Sequence, residues 1–203
     1  MMSVQTRLLD GEIAYTGAQL RSGWVAEVAG NRLPHEAPVP SGTGPSGGDA
    51  AVAFLGPCDV APEHMVDTVD LEAGARIASP RMVHIIIEHP GLDLIHITVR
   101  QRLLIAIAGE IINTHLGEPL IRRQGDDLYL RDRKLSISVA TISPISGLIH
   151  AGFNVRGEGA PVPAIGLEEL GLDPHAFAER LLATYAAEIE GIASAAGKVK
   201  RVT

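Results

Sequence analysis

Lys134 is the residue of this chain best placed to do chemistry. It opens a run, Lys134–Ala140, in which Lys134, Ser136 and Ser138 alternate with Leu135, Ile137 and Val139. Neighbouring runs alternate in the same way. Asp127, Tyr129 and Arg131 stand against Leu128 and Leu130, and His150, Gly152 and Asn154 against Ile149, Ala151, Phe153 and Val155. A period of two predicts strands with one apolar face packed on a core. The other face gathers one lysine and one histidine among serines and glycines, where a solvated face would carry longer polar side chains. An ammonium over such a narrow floor suits a close-fitting anionic ligand, with Asp127 one strand away and Asp126 beside it. The plainer reading is an antiparallel sheet that turns this face to water.

Other constellations carry weaker signals. His84 and Glu88 stand four residues apart with His89 adjacent, but the string matches neither H-E-x-x-H nor H-x-x-E-H. No metal site is expected there. Cys58 is the one cysteine; it has no C-x-x-C partner and reads as a small buried residue rather than a nucleophile. Arg100 with Arg102, and Arg122 with Arg123, could clamp an anion, although solvated arginines are commoner. Gly42, Gly44 and Gly47 satisfy G-x-G-x-x-G. A proline-rich stretch precedes them and a strand follows, the wrong context for a dinucleotide turn. No G-x-S-x-G or G-x-x-x-x-G-K-[ST] is present.

The elements that must position these groups read as follows. Thr6–Tyr15 predicts a strand. Ala18–Ala29 predicts a helix with Leu20, Trp24, Val25 and Val28 on its apolar side and Arg21 off that stripe, open to a ligand. The Pro/Gly/Ser-rich stretch 31–48 predicts a flexible loop insertion. Ala50–Leu55 predicts a strand broken by Gly56–Asp59, and 60–78 an acidic, irregular connection. Ser79–Pro80 resembles a helix start, which favours a short helix over 80–89, although Ile85–Ile86–Ile87 favours a strand. Leu94–Leu116 predicts a long helix with a stripe of Val99, Leu103, Ile107, Ile111 and Ile112, ended by Gly117. After the sheet segment come a Gly/Pro-rich loop at 157–166, a helical turn near Leu167–Leu170 and a helix over Pro174–Ala195.

Size and composition bound the rest. The 203 residues suit one domain spanning the whole chain, and can bury a substantial core. A formal charge of −7 argues against broad nucleic-acid or anionic-membrane binding, and 3% aromatic residues are too few for base-stacking platforms. With one cysteine there is no intrachain disulfide, which fits a reducing compartment. No signal peptide or membrane span is visible, so a cytoplasmic location is expected.

The strings Asp126–Leu130, Asp132–Leu135 and His150–Val155 resemble the biotin protein ligase and lipoate protein ligase superfamily, with its N-D-l-x-v, x-G-r-K-i/l-x-G and G-i-G-x-N-v cores. GAQLRSGW, GPCDV, HMVD, RQRLL and DRKLS, taken with the whole chain, resemble domain-of-unknown-function family 366. The resemblance implies an α+β fold with a mixed or antiparallel central sheet flanked by helices. It places Asp127 at the family's aspartate, Lys134 at its catalytic lysine and Asn154 at the asparagine of the biotin branch. Three departures stand out. Asp126 replaces the family's asparagine, Ser138 or a neighbour replaces the glycine after the lysine, and neither the G-R-G-R-x-G-R nor the R-R-x-S/T-G-G-G loop occurs.

The function this implies is binding of a small carboxylic acid, and its ATP-dependent activation or transfer to an acceptor protein, as in a ligase or acyl-adenylate transferase. Lys134 would stabilise the charge that gathers as carboxylate and α-phosphate meet. Asp126 and Asp127 would hold Mg2+ or orient the lysine. Arg21 and Arg102 would meet phosphate, and Ser136, Ser138, His150, Gly152 and Asn154 would line the ligand. Two alternatives stay open: a non-catalytic small-molecule or protein-binding module on the same fold, and a metal-dependent hydrolase using the His and Asp residues.

Overall fold

The computed structural model describes residues 4–29, 48–200 and 202. Five strands form one mixed sheet in the order β1-β2-β3-β8-β7, where β1 is Gln5–Glu12, β2 Ala50–Asp59, β3 Ala78–Pro90, β7 Ser136–Ile142 and β8 Ser146–Asn154. β1 and β2 run parallel, and every other pair in this sheet is antiparallel. A second sheet, β4-β5-β6, uses Ile121–Gln124, Asp127–Leu130 and Arg133–Lys134. With the helices this makes the expected α+β architecture.

Two long helices cover one face of the large sheet. α3, Leu94–Leu116, has the predicted bounds. Asp93 caps its start by accepting from the His96 amide at 2.9 Å, and Gly117 ends it at φ 70, a left-handed conformation that glycine adopts without strain. Its buried side takes in Ile107, Ile111 and Ile112 of the predicted stripe together with Ile97, Leu104, Ile105 and Ala108, while Val99 is exposed and Leu103 only partly covered. α4, Pro174–Lys198, packs beside it through Phe177, Leu181, Tyr185 and Ile189. The opposite face is covered near β2 by the short α1, Trp24–Ala29, around Val52, Phe54 and Ile86. Since β8 lies between two covered faces, all nine of its residues are buried.

The structure corrects four local expectations. Residues 80–89 are strand, not helix. β3 is the centre of the sheet, its β-branched run Val83 to Ile87 is buried on both faces, and burial overrides the Ser-Pro start signal. The helix predicted from Ala18 begins only at Trp24, because Gly17 and Gly23 take positive φ and keep the preceding residues in turns. β2 continues through Gly56–Asp59 with a register shift. Gly56 there lets Ile13 approach so closely that a Cβ would stand 2.0 Å from the Ile13 carbonyl oxygen. The connection 60–78 contains a 3-10 turn and a five-residue helix, α2 (Thr68–Glu72), capped by Asp67. The loop reading of 31–48 and the pattern of Gly42, Gly44 and Gly47 lie, except for Gly48, outside the described residues.

Candidate functional site

A cavity of about 380 Å³ opens between the α1-side face of β3, β7 and β8, the second sheet, and the connection 60–78. Asp126, Asp127 and Lys134 enter it from the second sheet, and His150 and Asn154 from β8. Asp67, Asp70 and Arg76 close it from the connection. Met82, Ile137 and Val139 form apolar wall, and residues 160–162 of the predicted Gly/Pro-rich loop complete the rim.

Lys134 is fixed at both ends. Its Nζ lies 2.7 Å from Asp127 Oδ2, an ion pair across the β5–β6 ladder with both side chains largely covered. Its backbone bonds to the Pro163 carbonyl and the Ile165 amide at 2.9 and 3.0 Å, which ties the 157–166 loop beside it. Burial works to lower the Lys134 pKa, but the bond and charge of Asp127 outweigh it and hold the ammonium above its ordinary value, with Asp70 adding a smaller push. Burial raises the Asp127 carboxyl; Lys134 pulls it back and Asp126 adds to the rise, so the balance remains upward.

The second layer is built from α3. Gln101 Nε2 donates to Ser138 Oγ at 2.9 Å and to Asp126 Oδ2 at 3.2 Å, and Ser138 donates to the Asp126 carbonyl at 2.8 Å. Asn154 accepts from Ser79 at 3.1 Å and donates to the Lys134 carbonyl at 3.3 Å. These bonds hold the Asp126–Asp127 turn and the lysine strand in one geometry.

Where His150 enters, the cavity floor is aromatic. The Tyr15 ring stacks on His150, with centroids 3.7 Å apart and planes at 11°, and His84 stacks between Phe54 and the other two rings. His84 Nδ1 meets His150 Nε2 at 3.0 Å, and His84 Nε2 meets the Gly56 carbonyl at 3.2 Å. Burial brings the His84 pKa down to about 4 and lowers that of His150 well below its usual value, so both rings are neutral near pH 7. Burial also pushes the Cys58 thiol up to about 12, as expected of a packed residue rather than a nucleophile.

The sequence-derived site is therefore gathered in part. Lys134, Asp126, Asp127, Ser138, His150 and Asn154 line one cavity. Ser136 does not: the chain passes from the small sheet to the large one at Leu135, both Leu135 and Ser136 turn inward, and Ser136 accepts from the Leu128 amide. That break shifts the phase of β7. Ile137 pairs with Gly152 and Val139 with His150, so these two, and not Ser136 and Ser138, share the His150 face. Gly152 lies under the Met82 side chain, whose methyl would stand 2.9 Å from a Cβ there. Arg21 pairs with Glu27 at 2.7 Å and is not among the lining residues; Arg102 reaches Asp126 at 3.6 Å from outside the cavity. Sequence reasoning missed Tyr15, which follows β1, Asp70 and Arg76, which come from a connection without periodicity, and Met82, which lies on β3 where a helix was favoured. His84 and Glu88 share a strand face with His89 on the other; Glu88 accepts from the Gly23 amide and Ser146, and His89 meets Tyr185 and Asp49. Among the described residues, no three His, Cys, Asp or Glu are arranged to hold a metal.

Residues 44–200 match the family described as domain of unknown function (DUF366). An uncharacterised protein of Methanocaldococcus jannaschii is 38% identical over 151 residues, 71% of this chain and 67% of that protein. A solved protein of unknown function from Pyrococcus horikoshi is 39% identical with a TM-score of 0.85, covering 99% of this chain and 100% of its own. More distant structures share the fold. Lipoate-protein ligase A bound with ATP has a TM-score of 0.54 at 11% identity, covering 92% of this chain and 86% of that one. Biotin protein ligase from Aquifex aeolicus, in complex with biotin and ATP, has a TM-score of 0.50 at 14% identity, with 92% and 70% covered.

Proposed function

The chain belongs to the DUF366 family, and from that footing we propose that its cavity binds a small carboxylic acid against Lys134 and activates it with ATP. The observation that carries this reading is the Lys134–Asp127 pair at 2.7 Å, set in the wall of a 380 Å³ cavity on a biotin/lipoate ligase fold. An ammonium has three donors, so Asp127 takes one and two remain for oxygens of the ligand. In the activation step a carboxylate oxygen bonds to the α-phosphorus of ATP as the bond to pyrophosphate breaks. Lys134, held on a strand and shielded from bulk water, stabilises the negative charge that gathers there.

Asp126 and Asp127 offer hard oxygen donors of the kind Mg2+ takes with phosphates and water, so these two would hold the ion, which would neutralise phosphate charge. Gln101 and Ser138 fix Asp126 for that role, and Asp127 orients Lys134. In the same reading, a nucleophile of an acceptor protein would bond to the acyl carbon as the bond to AMP breaks and AMP leaves.

A second reading, binding of the acid without nucleotide, is favoured by the charge of the lining. Asp67, Asp70, Asp126 and Asp127 outnumber Lys134 and Arg76, which is poor ground for a triphosphate lacking its cation. Isothermal titration with ATP, with and without Mg2+, and with lipoate, biotin and short fatty acids separates the two. Activation requires both ATP and an acid to bind wild type and the acid to be lost in Lys134→Ala. Acid binding without ATP leaves the binding module, and an acid bound equally by Lys134→Ala sinks both readings.

A further inference from the structure

The end of the cavity remote from Lys134 says what kind of acid would fit, and this step rests on the acid-binding reading above. His150 precedes Asn154 by four positions on β8, a rise of about 13 Å along the strand, and Asn154 is bonded to the Lys134 backbone, so His150 and the Lys134 backbone enter the cavity at different points of β8. Between them stand Met82, Ile137 and Val139, which suit an apolar stem.

The protons of the two histidines can be placed by elimination. The Gly56 carbonyl can only accept, so His84 carries its proton on Nε2, and its Nδ1 is an acceptor. His150 must then donate to it from Nε2. A neutral imidazole has one proton, and His150 Nδ1 is left with a bare lone pair and no partner among the described residues. His150 is only 2% exposed, and it lines the cavity. Tyr15 covers one ring face, so a ligand meets the ring at its edge. A bare hydrocarbon end would strand this acceptor without a hydrogen bond, which is unfavourable in a buried site.

We propose that His150 Nδ1 accepts a hydrogen bond from the ligand, so that the acid bound here carries an N–H or O–H group on the end remote from its carboxylate.

Nitrogen-15 NMR of the histidine rings in the ligand-free protein should find His150 unprotonated at Nδ1 and protonated at Nε2 near pH 7; the reverse tautomer overturns the proposal. 2-Pyrrolidinone, which has an N–H, should shift the His150 Nδ1 signal, and N-methyl-2-pyrrolidinone should not; equal responses, or none, overturn it. By titration 8-hydroxyoctanoate should bind about tenfold tighter than octanoate, the worth of one hydrogen bond. His150→Phe should erase that preference, whereas Lys134→Ala should weaken both acids. A preference missing from wild type, or surviving in His150→Phe, counts against His150. If neither acid binds, the tautomer and the lactam pair still decide the role of His150 on wild-type protein, and the carboxylic-acid reading falls only if lipoate and biotin also fail to bind.

Discussion

Lys134 Nζ and Asp127 Oδ2 meet at 2.7 Å across two short strands, with 28% and 18% of the side chains exposed. Neither group is in free water, so each depends on the other. The arrangement presents one positive group at a fixed place in a lining otherwise rich in carboxylates.

Lys134→Ala should therefore cost about 1–2 kcal/mol, because a largely covered Asp127 loses its partner, while solvent at the site tempers the loss. Asp127→Asn should cost a similar amount and lower the Lys134 pKa, since burial then acts without its main counterweight. Both should weaken acid binding by tenfold or more. Urea unfolding with titration of the same variants checks this. Lys134→Ala with unchanged affinity would identify a structural ion pair.

Gln101 reaches from α3 to both Ser138 and Asp126. Gln101→Ala leaves the Asp126 carboxylate and the Ser138 hydroxyl short of a donor and should cost about 1–2 kcal/mol. Gln101→Glu, which keeps the length but places a carboxylate beside Asp126, should be at least as destabilising. Thermal melts of the two variants test the order.

The buried histidines set a pH dependence. The His84 pKa is about 4 in the fold against 6.5 when unfolded, and that of His150 is displaced in the same direction. The unfolded chain thus binds more protons between those values, so stability is full above about pH 6.5 and falls as pH drops toward 4. His84 alone should account for about 3 kcal/mol across that window. His89, whose pKa burial also lowers, adds in the same sense. Urea midpoints measured from pH 7 to 4 should fall steeply in wild type and less in the double variant His84→Phe with His150→Phe. Parallel curves would refute the assignment.

Much of this is legible in the sequence. The helix Leu94–Leu116 is legible through Gly117 and the helical spacing of Ile107, Ile111 and Ile112. Lys134 and Asp127 stood out because strand alternation put them on one side of adjacent strands. What misled was local signal overruled by tertiary burial. Ser79–Pro80 mimics a helix cap, yet Val83–Ile87 belongs to the central strand, where packing on both faces decides. Alternation through Ser136 assumed one unbroken strand, but the chain changes sheets at Leu135 and the phase slips. His150 reads from the sequence as a residue lining the ligand, but its burial against His84, 66 residues away, carries no local signal. The charge of Arg21 and Arg102 suits phosphate, but charge does not say which carboxylate a side chain will find, here Glu27 and Asp126.

Two glycines of β8 separate packing from function. Gly147 faces α3, and a Cβ there would stand 2.8 Å from Ile97 Cβ, an atom fixed to the helix backbone. Nothing in that contact can yield without moving α3 off the sheet, so Gly147→Ala should cost about 1–3 kcal/mol or more. Gly152 lies beneath Met82 on the cavity side of the sheet, and its added Cβ would stand 2.9 Å from Met82 Cε, the free end of a flexible side chain. Met82 can swing away at small cost, about 1 kcal/mol or less, but the open space beside it is the cavity that Met82 already lines. Gly152→Ala should therefore keep its melting temperature close to wild type while ligand affinity falls. Gly147→Ala should lose stability, with little change in affinity at temperatures where it remains folded. Calorimetric melts and titrations of the two variants make the comparison. A Gly152→Ala protein that binds its acid as wild type does would place the ligand away from β8.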